Sequence, residues 1–151
     1  YNLEQEEKLQ IVVKEHPSDQ GKINYDVLRE SWALKGVIFA NDHSTQELID
    51  QAEVIVTITS SVGMEALLRN KPVIALGESF YCRQDIVQKA QNPEELLESL
   101  YKYKENRDLL FTDQFLYYAR YHWLIGGSWR MIDLEHLKEF YQRIKSLQEK
   151  V

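Results

Sequence analysis

Cysteine is nearly absent from this chain of 151 residues: Cys82 stands alone. One thiol cannot close an intramolecular disulfide, build a thiolate metal cluster or form a C-x-x-C redox pair, and a reducing, cytoplasmic setting follows naturally. No apolar run approaches the roughly 20 residues a membrane span requires. The acidic, polar start over residues 1–10 is unlike a signal peptide, so the chain reads as soluble. Excess positive charge is also missing. With 18 Lys and Arg against 24 Asp and Glu, the net charge is -6, which argues against a nucleic-acid face and against general attraction to anionic lipid. Any phosphate must therefore be held locally. Neither G-x-x-x-x-G-K-[ST] nor G-x-G-x-x-G occurs, which disfavours P-loop hydrolysis and a standard NAD site. There is no internal repeat and no low-complexity segment.

What is present fits one globular domain, with 44% hydrophobic residues and a core burying on the order of two-thirds of the unfolded surface. Short β-branched runs bounded by polar residues predict strands over 9–14, 37–40, 54–58 and 72–76, with a fifth over 85–89. Helical periodicity lies between them at 25–34, 45–51 and 63–69. Strand alternating with helix implies a parallel sheet with right-handed crossovers. Ser44 with Glu47 three residues later forms a capping box, and Asn92 before Pro93, Glu94 and Glu95 is a strong N-cap. From Pro93 the pattern is helical only, through Leu96, Leu97, Leu100, Leu109 and Leu110, then over 115–125 and 132–147 with a break at Gly126-Gly127-Ser128. Residues 2–8 read as an amphipathic helix running straight into a central-looking strand, which suggests a fragment or the C-terminal half of a larger protein.

In an open parallel sheet, ligands collect beyond the carboxyl ends of the strands. His16, Asn41-Asp42, Thr59-Ser60-Ser61 and Gly77-Glu78 all fall there. Lys14-Glu15-His16-Pro17 is answered 44 residues after His16 by Ser60-Ser61-Val62-Gly63-Met64-Glu65-Ala66-Leu67, and the two segments could hold one phosphate from two sides. Pro17 keeps His16 extended, so its imidazole can donate to a phosphate oxygen or, protonated, ease a phosphate leaving group away. A surface or capping histidine is the plainer reading, and Lys14 two residues earlier adds a second donor. The hydroxyls of Ser60 and Ser61, with the unpaired N–H groups of Ser61, Val62 and Gly63, would make an anion site at a helix start; simple N-capping is the alternative. Gly63 permits close backbone approach. Glu65 can accept from ribose hydroxyls or simply favour the helix start. Asn41-Asp42-His43 can touch a base or ribose, although Asn-Asp is ordinary turn chemistry. Glu78-Ser79-Phe80-Tyr81 can close over a sugar or base, and Tyr81 can equally be packing. His122 and His136 lack neighbours at ligand spacing and read as structural or surface residues. The aromatics from Tyr101 to Trp129, among them Tyr117, Tyr118, Tyr121 and Trp123, exceed what one small sheet needs, which predicts packing on another domain or chain.

These residues resemble the C-terminal, nucleotide-binding half of GT-B glycosyltransferases of the capsule polysaccharide biosynthesis type. Those bacterial enzymes transfer Kdo from CMP-Kdo and are similar in motif to bacterial CMP-sialic acid sialyltransferases. The likeness runs through Val12-Val13-Lys14-Glu15-His16-Pro17, through Ile58-Thr59-Ser60-Ser61-Val62-Gly63-Met64-Glu65-Ala66-Leu67, and through Lys71-Pro72-Val73-Ile74-Ala75-Leu76-Gly77 to Phe80-Tyr81. It covers residues 11–81 well and the helical tail loosely.

The resemblance implies an α/β fold, a Rossmann-like parallel sheet flanked by helices, with a helical C-terminal tail. It divides the chain into a nucleotide-sugar-binding domain over 1–111 and helices over 112–151 that pack on a missing N-terminal domain, with Gly126-Gly127 as the crossing point. It implies that His16, Ser60 and Ser61 bind the nucleotide phosphate, that Lys14 matches a lysine associated with the cytidine, and that Asp42 is the nearest candidate for ribose. The catalytic carboxylate belongs to the missing half, so the chain alone should bind donor and transfer little or nothing. No cofactor is implied, the CMP-sugar being a donor substrate, and no metal, because His16, Lys14 and the helix dipole balance the phosphate charge. The implied partners are a nucleotide sugar and, through the missing domain, a saccharide or glycolipid acceptor. The implied place is the cytoplasm, with peripheral association at the inner face of the inner membrane left open. A UDP-sugar epimerase of GT-B layout and a non-catalytic interaction module remain as alternatives.

Overall fold

The computed structural model describes residues 9–27, 37–103, 109–126 and 131–149. The chain divides into two compact units, Tyr1–Ala52 and Glu53–Val151. In the first, β1 (Ile11–Val13) pairs in parallel with β2 (Val37–Phe39), Ile11 opposite Val37 and Val13 opposite Phe39. A 3₁₀ turn over Pro17–Asp19 follows β1. Tyr25 to Val27 are helical, and the remainder of the helix expected over 25–34 lies outside the described residues, as does the one expected over 2–8. Helix α1 (Thr45–Gln51) starts at the anticipated capping box: Ser44 Oγ accepts from Glu47 N–H at 3.1 Å, and the Glu47 carboxylate accepts from Ser44 N–H at 3.2 Å. These two bonds satisfy donors that a helix start would otherwise leave orphaned. Ile49 on α1 and Ala40 just after β2 are buried in this unit.

The second unit opens with β3 (Ile55–Thr57), α2 (Val62–Leu68) and β4 (Val73–Ala75). Its three strands lie in the order β3-β4-β5, all parallel, with β5 reduced to Gln88–Lys89 where five residues were expected. β4 is central and all three of its residues are buried, as an unbroken apolar run on a two-faced strand requires. Helix α2 ends in a Schellman motif: Asn70 takes a φ of 56°, its N–H reaches Leu67 O at 3.0 Å, and Lys71 N–H reaches Ala66 O at 2.9 Å. Asparagine tolerates that left-handed position better than most residues, and the turn delivers the chain to Pro72 and β4.

The helical tail is as anticipated in kind and shifted in detail. Helix α3 (Pro93–Lys102) is capped by Asn92, whose Oδ1 accepts from Glu95 N–H at 2.9 Å. Helix α4 (Leu109–Tyr118) runs directly into a π turn over Ala119–Trp123, closed by Leu124 N–H on Ala119 O at 2.6 Å. Helix α5 (Leu134–Gln148) is capped by Asp133. Gly127 and Ser128 of the expected break lie outside the described residues. The fold is α/β, with parallel strands, flanking helices and a C-terminal helix.

Candidate functional site

At the end of β1, the strand delivers Lys14, Glu15 and His16 to three different tasks. His16 is extended, with φ -64° and ψ 137°, as the following proline demands. Its Nδ1 accepts from Ser18 N–H at 3.2 Å and lies 2.7 Å from Ser18 Oγ. An imidazole that accepts at Nδ1 carries its neutral-form proton on Nε2. His16 is exposed, so the two readings of this residue are compatible: one nitrogen caps the turn and the other is an outward donor.

Lys14 is differently placed from the expectation of a second ligand donor. Its Nζ donates to the carbonyls of Asn41 at 3.0 Å and His43 at 2.6 Å, so it braces the turn after β2. Glu15, which the sequence did not single out, is 6% exposed. Its N–H donates to Asn41 Oδ1 at 2.8 Å, and its Oε2 accepts from Asn41 Nδ2 at 3.2 Å, while buried Oε1 has no hydrogen-bond partner. Burial, followed by the Glu15 charge, raises the Tyr25 phenol above its ordinary range. Asp42 stands exposed at the tip of that turn, which His43 N–H closes on Ala40 O at 3.3 Å. The available sequence signal for Glu15 was parity: Ile11, Val13 and Glu15 alternate onto one face of an extended chain.

In the second unit the serine pair corrects one expectation. Val62 and Gly63 N–H are not open donors: Val62 N–H reaches Ser60 Oγ at 3.2 Å and Gly63 N–H reaches Ser60 O at 3.1 Å. Ser60 folds back over the first turn and satisfies it, as small hydroxyl residues do at helix starts. Ser61 occupies the N-cap position in helical geometry, makes no side-chain capping bond and is exposed. Its hydroxyl, rather than the main-chain amides of 62 and 63, is what the turn presents. Glu65 sits half-buried in the first turn of α2.

Gly63 is indeed a point of close approach, and what approaches is Tyr81. A Cβ at Gly63 would lie 2.6 Å from two carbons of the Tyr81 ring. Tyr81 is 1% exposed and donates its hydroxyl to Ser60 O. Gly77 serves a similar need, since a Cβ there would come 2.9 Å from Thr59 Cγ2 and 3.1 Å from Ile58 O. The loop expected to close over a ligand is anchored at several points: Glu78 pairs with Lys89 at 2.6 Å, and Ser79 Oγ lies 3.4 Å from Cys82 Sγ.

Further along, His122 stacks on Tyr118 with ring centroids 5.2 Å apart, and His136 Nδ1 donates to Gly126 O at 2.7 Å. Tyr117, Tyr118, Tyr121 and Trp123 are exposed, as are Leu134, Leu137, Phe140 and Tyr141 of α5. Among the described residues no group of three His, Cys, Asp or Glu is arranged to hold a metal ion, and no helix is long and apolar enough to cross a membrane.

The family model for capsule polysaccharide biosynthesis proteins matches residues 2–128. Protein FixF of Sinorhizobium fredii (strain NBRC 101917 / NGR234) is 37% identical over 125 residues, 83% of this chain and 30% of that protein. The capsule polysaccharide export protein KpsS of Escherichia coli is 33% identical over 76 residues, 47% of this chain and 20% of that one. The capsule polysaccharide modification protein LipB of Neisseria meningitidis serogroup A (serotype 4A, strain DSM 15465 / Z2491) is 36% identical over 77 residues, 47% of this chain and 18% of that one. This chain thus spans less than a third of the length of these curated relatives. No solved structure matches at a significant level. The histidine-proline turn, the serine pair and the α/β scaffold that carries them belong to a member of the capsule polysaccharide biosynthesis family.

Proposed function

We propose that this chain is the donor-binding domain of a bacterial glycosyltransferase that uses a CMP-sugar, CMP-Kdo in the first instance. His16 and the Ser60–Ser61 turn bind the donor phosphate, and Asp42 and Glu65 are the ribose candidates. The observation that carries the reading is the state of His16: with Nδ1 engaged by Ser18, Nε2–H is a preset, exposed donor. The exposed Ser61 hydroxyl supports the same reading. Lys14 contributes positive charge near the turn after β2 while its hydrogens brace that turn. No cofactor or metal enters the scheme.

The acceptor, a saccharide or glycolipid, and the catalytic carboxylate belong to a domain outside this chain, against which the exposed aromatic face of α4, the π turn and α5 packs. His16 also assists departure of the CMP leaving group once protonated. On this reading the work takes place in the cytoplasm.

Calorimetric titration of this chain with CMP, with UMP and UDP as controls, tests the proposal. Saturable CMP binding that is lost in His16→Ala and in the Ser60→Ala/Ser61→Ala double variant is the expected result. Equal affinity in these variants rejects the phosphate roles, and a preference for UDP rejects the CMP-sugar assignment in favour of an epimerase-type donor site.

A further inference from the structure

Tyr81 is buried like a core residue, yet a core needs only its ring. The ring fills the space above Gly63, Phe80 packs edge-on against it with centroids 5.4 Å apart, and Trp123 packs in turn on Phe80 at 4.7 Å. A phenylalanine would satisfy all of that. The hydroxyl has a separate role: across 21 residues of sequence it donates to Ser60 O, the carbonyl that also accepts from Gly63 N–H.

That carbonyl belongs to the peptide group joining Ser60 to Ser61. A peptide group is planar and trans, so its C=O and N–H point in opposite directions. Holding Ser60 O toward the buried Tyr81 hydroxyl turns Ser61 N–H to the other side and fixes the start of Ser61, whose hydroxyl is exposed. The Ser60 hydroxyl is held as well, by Val62 N–H. The peptide is therefore gripped at its oxygen by a side chain that is itself held by two aromatic neighbours in series, Phe80 and Trp123, and by a glycine.

We infer that Tyr81 is a positioning residue for the serine pair: its hydroxyl sets the orientation of the Ser60–Ser61 peptide and so aims Ser61 at the donor phosphate. The inference rests on the phosphate role proposed above. It also gives Gly63 a cause, since only a residue without Cβ lets the ring come close enough for its hydroxyl to reach the carbonyl.

The test is Tyr81→Phe in this chain, beside Ile74→Val, a core change in central strand β4 of comparable thermal cost. Two quantities are read, CMP affinity and the amide exchange of Ser61, Val62 and Gly63. The expected result is CMP binding about fivefold weaker in Tyr81→Phe, the size of one typical hydrogen bond, with faster exchange at the three amides. Ile74→Val should change neither. Wild-type CMP affinity in Tyr81→Phe overturns the inference while leaving the donor-binding reading intact. Should the unaltered chain bind no CMP, the donor-binding reading falls and amide exchange alone decides: acceleration at 61–63 supports the positioning role, and unchanged exchange overturns it.

Discussion

Glu15 and Asn41 clasp each other from both ends, the main chain of Glu15 donating to the Asn41 side chain and the Asn41 amide donating back to the Glu15 carboxylate. The clasp joins the end of β1 to the turn after β2, across 26 residues. Asn41→Ala removes both bonds and leaves a buried N–H and a buried carboxylate oxygen unserved. The expected cost is about 2 kcal/mol of stability, within the range for unsatisfied buried groups, measured by urea denaturation. Asn41→Asp should be worse, because it sets a second carboxylate beside a buried one. Stability equal to the unaltered chain in both variants would show that the clasp is incidental.

Gly63→Ala should destabilise the second unit by about 1–3 kcal/mol, the usual cost of forcing atoms into a filled space. The new methyl meets a ring, not a flexible chain end. Combining it with Tyr81→Leu should cost less than the two changes separately, since the smaller side chain vacates the contested volume. Strict additivity in thermal denaturation would refute the direct clash.

Acid should loosen the start of α1. Glu47 is held below its ordinary 4.5 by hydrogen bonding to the Ser44 side chain, then to the Ser44 backbone. A carboxylate depressed in the folded state contributes stability that is complete above its unfolded value and is lost as pH falls through its folded one. Amide exchange of the first turn of α1 should therefore accelerate below pH 4.5. Ser44→Ala should remove about 1 kcal/mol at neutral pH, as lost caps do, and flatten that acid response.

Alkali should act through two phenols. Burial pushes Tyr81 above 10.0, and burial together with the Glu15 charge does the same for Tyr25. For a group whose folded value is raised, the contribution is intact below the unfolded value and lost as pH rises through the folded one. Stability should thus begin to fall above about pH 10. Tyr81→Phe should remove part of the fall and Tyr25→Phe another part; an unchanged slope in both would contradict the assignment.

In its neutral form His16 should carry its proton on Nε2, because Nδ1 accepts from Ser18 N–H. Nitrogen-15 NMR of the imidazole distinguishes the two tautomers directly. A dominant Nδ1–H form would remove the preset donor from the proposed site.

Much of the fold was legible because it rests on local chemistry. The Ser44–Glu47 box, the Asn92 cap and the β-branched runs each act over a few residues, and α1 falls where its periodicity placed it. What could not be read were the partners of charged and aromatic groups. Lys14 looks like a ligand donor until the carbonyls 27 and 29 residues away are seen beneath it. Tyr81 was balanced between lid and core, and only the Gly63 contact decides for the core. The serine pair was placed correctly on its turn, while the fold-back of Ser60 onto Val62 and Gly63 depends on geometry that composition does not encode.

The π turn over Ala119–Trp123 carries a consequence of its own. Such a turn takes one residue more than an α turn, which changes by about 100° about the helix axis where the residues at its end, Trp123 among them, face. That shift bears directly on Trp123, whose ring packs on Phe80. A homologue one residue shorter between 119 and 123 would keep a helix of similar composition yet swing its tryptophan off Phe80. At this place, then, the variation that matters is an insertion or deletion, and a count of identical residues would pass over it.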